Sequence, residues 1–170
     1  MPRRWLAYAR RLSDQTTTDR HASPLHVLMS VMAHSGDSLV WLLIGGVLRA
    51  QQAAAARGLG ARILMTVLVT AVLSFSLKQL FQRQRPTSSV HGLYGAFDRY
   101  SFPSGHAVRV GALTVVLGAA LPVSGIAALA LWSLVVCASR IALRVHFTRD
   151  VGFGLLLGWM AGALLLIGGV

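Results

Sequence analysis

Apolar blocks of nearly membrane-spanning length, divided by short polar joints, leave this sequence few ways to fold. From Leu39 to Leu48, and again from Ile63 to Leu77, there is no ionisable side chain. A helix needs about 20 mostly apolar residues to cross a bilayer, and several stretches here approach that length. The rest of the composition agrees: the 170 residues are 55% hydrophobic and 12% charged, with a mean hydropathy of +0.63. A water-soluble domain carries about 25% charged residues. The expected fold is therefore all-α, a polytopic membrane helical bundle. Five spanning helices are expected over about 38–56, 62–82, 104–121, 125–144 and 150–169. Their separators are Arg57-Gly58, the loop from Gln84 to Pro103, Pro122 and the stretch Arg144 to Arg149.

Two regions precede the first span. Residues 1–22 are polar and basic, with Trp5, Tyr8 and Leu12 at helical spacing beside Arg3, Arg4, Arg10 and Arg11. They suit a helix lying on the membrane surface or a disordered basic tail. No apolar core follows Arg3 and Arg4, so they are not expected to form a cleavable signal peptide. Ser23-Pro24 then reads as an N-cap and first helical residue. It opens a short interfacial helix from Leu25 to His34, which ends at Ser35-Gly36-Asp37. Residues 23–170 form the membrane-embedded domain. The last three spans are rich in Gly, Ala and Ser, which let membrane helices approach closely.

Sixteen Lys and Arg face five Asp and no Glu, for a net charge of +11. The cations sit between the apolar blocks rather than along one stripe of a soluble surface. That distribution suits anionic headgroups and an anionic substrate and argues against a nucleic-acid partner. The single Cys137 permits no intramolecular disulfide and no cysteine-rich metal site. His21, His26, His34 and His91 show no ligand spacing, so no metal is expected. Asp37 and Trp41 read as interfacial packing and anchoring, and Asp98-Arg99 as a loop ion pair.

Topology brings the remaining polar residues together. With five alternating spans, four helix ends share one side of the membrane. They carry, in order, Lys78 with Arg85, Ser104 to His106, Arg140 with His146, and Asp150. Arg140 lies inside the apolar run Leu129–Val145, where a charge is costly and normally faces a polar cavity. Lys78 and Arg85 are seven residues apart, two turns on one helix face. Lys78, Arg85 and Arg140 together can neutralise a phosphoryl group and its transition-state charge. Pro103-Ser104-Gly105-His106 opens a helix, whose free N–H groups and positive dipole end favour an anion, and Gly105 permits close backbone approach. Asp150, four residues after His146, can orient that imidazole if the chain is helical there. Two histidines then supply a nucleophile and a proton carrier. Arg109, one turn further into the third span, faces either the substrate headgroup or the helix wall.

Three motifs in order, Lys78-(six residues)-Arg85-Pro86, Pro103-Ser104-Gly105-His106 and Ser139-Arg140-(five residues)-His146-(three residues)-Asp150, resemble the signatures of the type-2 phosphatidic acid phosphatase superfamily. That superfamily includes lipid phosphate phosphatases and vanadium-dependent haloperoxidases. The resemblance covers residues 78–150 directly. It implies that His146 attacks phosphorus to form a phosphohistidine and that Asp150 hydrogen-bonds His146 and holds its tautomer. It implies too that His106 protonates the leaving group and then activates water. Lys78, Arg85 and Arg140 would hold phosphate oxygens with Ser104 and the Gly105 amide, without metal or cofactor. Ser139, Pro86 and Pro103 would shape the backbone.

The implied partner is a lipid phosphate in a bacterial-type inner membrane; oligomeric state is not legible. Members commonly have six spans, and this chain is expected to lack the first, which would place its N-terminus on the active-site side. Leaving the proposed site residues and Arg109 aside, that side holds nine arginines and the other three (Arg49, Arg57 and Arg62). Cytoplasmic flanks are rich in such cations, so the site is expected to face the cytoplasm. Phosphoryl transfer to a second lipid, a haloperoxidase activity and non-catalytic anion binding are the rival functions.

Overall fold

The structure, a computed structural model, describes residues 23–86 and 99–169. The N-terminal 1–22 segment and the aromatic loop residues His91, Tyr94 and Phe97, with Asp98, lie outside the described residues. Six helices and no strand are present among the described residues: α1 (Pro24–Ser35), α2 (Ser38–Arg49), α3 (Ala54–Phe81), α4 (Gly105–Gly118), α5 (Val123–Ala142) and α6 (Thr148–Ile167). The chain is an all-helical, multi-pass membrane protein.

Three of these helices, α3, α5 and α6, are long and apolar enough to cross a bilayer. The other expected crossings are built differently. The short helix at 25–34 and the expected span at 38–56 are α1 and α2, which reach spanning length and hydropathy only as a pair and are bent by 49° at the break at Gly36 and Asp37. Each arm has 12 residues, about 18 Å, so neither crosses alone. The third expected span, α4, has 14 residues, about 21 Å, and is shorter than the hydrocarbon core. Its short length is tolerated because it is the central helix: ten of its residues are buried, between α3, α5 and α6.

The expected separator Arg57-Gly58 lies inside a helix. α3 begins at Ala54, and the turn is at 50–53. Ala54, Ala55 and Ala56 favour helix, no proline intervenes, and one glycine costs only about 1 kcal/mol. On α3 the buried residues Ile63, Thr66, Val67, Thr70, Ser74 and Lys78 recur at helical spacing. The three hydroxyls turn back to the carbonyls four residues earlier, Thr66 to Arg62, Thr70 to Thr66 and Ser74 to Thr70. That satisfies them within the helix. Lys78 ends this buried stripe.

The closest packing joins α4 to α6. A Cβ added at Gly158 would lie 2.2 Å from the Val108 carbonyl oxygen, so only glycine fits that crossing. The opposite faces of the bundle are apolar and exposed: Leu39, Leu43 and Val47 on α2, and Leu156, Met160 and Leu164 on α6. Such continuous apolar surface belongs in lipid.

Candidate active site

The polar helix ends meet on one side of the bundle, tied by hydrogen bonds between distant segments. The α3 helix ends at Gln82, which takes the left-handed conformation (φ 45°) and turns the chain toward the loop before α4. There Arg83 accepts at its carbonyl from the Ser101 N–H, at 2.7 Å. Its guanidinium donates to Asp150 Oδ1 at 2.6 Å and lies over the Phe147 ring, 4.6 Å from the centroid. Arg85 donates to the Val145 carbonyl at 3.2 Å. A second left-handed residue, Arg144 (φ 55°), makes the turn that brings His146 back under the end of α5. Non-glycine residues in that region store strain and persist only where surrounding contacts hold them.

His146 is buried, and its Nδ1 lies 2.8 Å from the Ser101 carbonyl. A carbonyl only accepts, so Nδ1 carries the hydrogen and Nε2 the lone pair. Asp150 does not supply that bond. Its carboxylate takes Arg83, the Ser101 hydroxyl and the Phe147 N–H. The physical reason is where α6 begins. His146 precedes the N-cap Phe147, so the two residues do not share a helical face. Asp150, at the third helical position, folds back to cap its own helix. Its link to His146 therefore runs through Ser101, whose hydroxyl it holds and whose carbonyl holds the imidazole.

Ser104 is the N-cap of α4, but its hydroxyl makes no capping bond. It is buried, with no hydrogen-bond partner among the described residues. An N-cap serine normally satisfies its own helix; this one is available to a ligand. Its N–H donates to the Asp150 carbonyl at 3.1 Å, tying the start of α4 to α6. A Cβ added at Gly105 would meet only Ser74, at 3.8 Å. Packing therefore does not require this glycine, and its backbone stays open to close approach. Ser74 lies one turn before Lys78 on the buried stripe, so that lysine borders the same helix start. The Phe102–Pro103 peptide just before it is cis.

His106, in the first turn of α4, meets a carboxylate that sequence reasoning had assigned to packing. Its Nε2 lies 2.6 Å from Asp37 Oδ1. Asp37 stands at the bend between α1 and α2. Arg140 and Arg109 lie close enough to His106 to act on it electrostatically. Arg109 itself donates to the Gly36 carbonyl at 2.6 Å, which answers its open assignment in part: it ties α4 to the bend. Trp41 packs beside Trp132 as a packing role requires, and its indole donates to the Ser35 carbonyl at 3.0 Å. Beside His146 opens a cleft of about 340 Å³ lined by Pro86, Ile141, Arg144, His146, Phe147 and Thr148.

The site thus gathers Arg85, Ser104, Gly105, His106, Arg140, His146 and Asp150 at neighbouring helix ends, with Lys78 at the edge of the set. Three contributors were missed: Asp37, Arg83 and Ser101. Asp37 left one usable signal, being among only five carboxylates in a strongly basic chain. Arg83 and Ser101 left none, since they act through contacts 67 and 49 residues away in sequence.

The model of the PAP2 superfamily matches residues 59–168, more than half of the chain. The chain belongs to the PAP2 superfamily. Solved structures agree on the fold. Aquifex aeolicus LpxE is 26% identical, with a TM-score of 0.69 over 85% of this chain and 87% of its own. The first transmembrane PAP2 type phosphatidylglycerolphosphate phosphatase from Bacillus subtilis is 24% identical, with a TM-score of 0.67 over 93% of this chain and 85% of its own.

Proposed function

We propose that this protein hydrolyses a lipid-linked phosphomonoester or diphosphate through a phosphohistidine at His146, without a metal ion. The observation that carries the reading is the arrangement of two imidazoles. Nδ1 of His146 is committed to a backbone carbonyl, and Nε2 of His106 to a carboxylate. Each ring is oriented through one nitrogen, and the reading assigns the chemistry to the other. In the first step Nε2 of His146 attacks phosphorus while the bond to the leaving oxygen breaks, and Nδ1 of His106 gives that oxygen a proton. In the second, His106 takes a proton from water, whose oxygen displaces His146 and releases phosphate. Lys78, Arg85, Arg140, the Ser104 hydroxyl and the first N–H groups of α4 stabilise the charge on the transferring group.

Placement of the site at the ends of lipid-exposed helices supports a lipid rather than a soluble substrate. The arginine distribution supports a cytoplasm-facing site. A phosphate-release panel on the purified protein tests the reading, with prenyl diphosphates, phosphatidic acid and phosphatidylglycerophosphate. Release should persist in EDTA, vanadate should inhibit, and acid quenching during turnover should trap labelled phosphate on the wild type and not on His146→Ala. A requirement for Mg²⁺, or label on His146→Ala equal to that of the wild type, would overturn it. Acceptor lipids added to the same assay separate hydrolysis from phosphotransfer.

A further inference from the structure

The bend between α1 and α2 is held as firmly as the catalytic loops, although no motif passes through it. Three donors from three helices converge there. Arg109 of α4 binds the Gly36 carbonyl at 2.6 Å, and Trp41 of α2 binds the Ser35 carbonyl at 3.0 Å. Trp132 of α5 binds the Ser35 hydroxyl at 2.9 Å, and the two indoles pack with centroids 5.4 Å apart. Gly36 is pressed onto the site itself. A Cβ there would come within 2.9 Å of Val136, 3.3 Å of Val110 and 3.4 Å of His106 Cδ2. The next residue is Asp37, whose two oxygens are both occupied. Oδ1 accepts from His106 at 2.6 Å and Oδ2 from His34 at 2.8 Å. A carboxylate gripped at both oxygens has one orientation. The imidazole bonded to it has one orientation and one tautomer.

We infer that Asp37 is the positioning residue for His106, and that the bend between α1 and α2 delivers it. By taking the Nε2 hydrogen, Asp37 fixes His106 with Nδ1 directed to the reacting group and offsets the imidazolium charge that forms when His106 accepts a proton from water. The inference rests on the reading of His106 as the proton carrier, and it adds a fourth segment to a site whose motifs span only residues 78–150.

A double-mutant cycle tests it, with kcat and KM measured for phosphate release from a lipid phosphomonoester. Asp37→Asn should lower kcat by about 10- to 100-fold with KM within about threefold, the range of a lost proton-transfer contribution. In a His106→Ala background the same substitution should cost less than about twofold, because Asp37 acts only through that ring. An equal loss in both backgrounds would show that Asp37 merely braces the bend, and no loss from Asp37→Asn in the otherwise wild-type protein would also overturn the inference. Should Asp37→Asn not accumulate as folded protein, the same cycle with Asp37→Glu decides the matter, since Glu keeps the charge and displaces the carboxylate by one methylene. Wild-type turnover by His106→Ala would remove the acid–base reading itself. Impaired His106→Ala beside fully active Asp37→Asn would remove only the role of Asp37.

Discussion

Replacing Asp150 by Asn should lower turnover while leaving the bundle folded, and the size of the loss follows from the three bonds the carboxylate accepts. Oδ1 takes Arg83; Oδ2 takes the Ser101 hydroxyl and the Phe147 N–H. All three partners donate, and an amide offers one oxygen and one NH₂ group. If the amide oxygen faces Arg83, its NH₂ opposes the Phe147 N–H; if it is flipped, its NH₂ opposes the guanidinium. One donor is left unmet in either pose. Arg83 is 40% exposed, so water can replace its share of the ion pair. Asp150 and Ser101 have no exposed surface, and the loss falls on their side. A buried donor left unmet costs about 1–3 kcal/mol. If that cost appears as misplacement of the Ser101 carbonyl, and hence of His146, kcat falls by about 5- to 150-fold. The assay is phosphate release by detergent-solubilised protein, with thermal unfolding run in parallel. Asp150→Asn turning over within twofold of wild type would refute the argument that His146 is held through Ser101.

Four further outcomes are expected. His106→Ala should lose activity on alkyl phosphates by orders of magnitude and retain more on a nitrophenyl phosphate, whose leaving group needs less protonation; equal losses on both substrates would contradict its role as acid. Gly158→Leu should unfold at lower temperature, because its Cβ would stand 2.2 Å from the Val108 carbonyl oxygen and overpacking costs about 1–3 kcal/mol or more. Gly152→Ala, with nothing within 4 Å of the added Cβ, should unfold like wild type. For orientation, single cysteines placed at Gln51 or Arg99 after Cys137→Ser should differ: a membrane-impermeant maleimide should label Gln51→Cys in intact cells and spare Arg99→Cys, and the reverse pattern would place the site outside.

How much of this was legible in the sequence depends on whether a feature is local. The apolar blocks located α3, α5 and α6 because each is a long, self-contained hydropathy signal. Motif spacing named the residues that meet at the helix ends because topology alone brings those ends to one side. The bend at Gly36 and Asp37 reads as an end between two helices, and in a local sense it is one; only tertiary contacts with Arg109, Trp132 and His106 make it part of the candidate site. Arg57-Gly58 misled in the opposite direction. A charge and a glycine resemble a boundary, but Ala54 to Ala56 extend α3 past them and the helix has room to protrude. For Asp150 the spacing to His146 was right, but the orientation depended on where α6 starts. One residue of helix phase decides whether the carboxylate meets the ring or caps the helix.

Asp37 and Asp150 are the only carboxylates among the described residues, and both bind elements far apart in the chain. Asp150 joins the end of α3, the loop before α4 and the start of α6; Asp37 joins the α1–α2 bend to α4. Inside a bilayer the hydrophobic effect does little to choose among helix arrangements, because lipid tails are as apolar as the helix faces they would replace. Close packing at glycines such as Gly158 and hydrogen bonds between polar helix ends must set the register instead. In this chain those polar ends are the candidate active site. The residues that orient the two imidazoles therefore also fix how α1, α3, α4 and α6 meet, and substitutions there should separate into two kinds. Those that delete a bonded group lose fold and turnover together, whereas those that only change an acceptor into a donor, or move it by one methylene, lose turnover first.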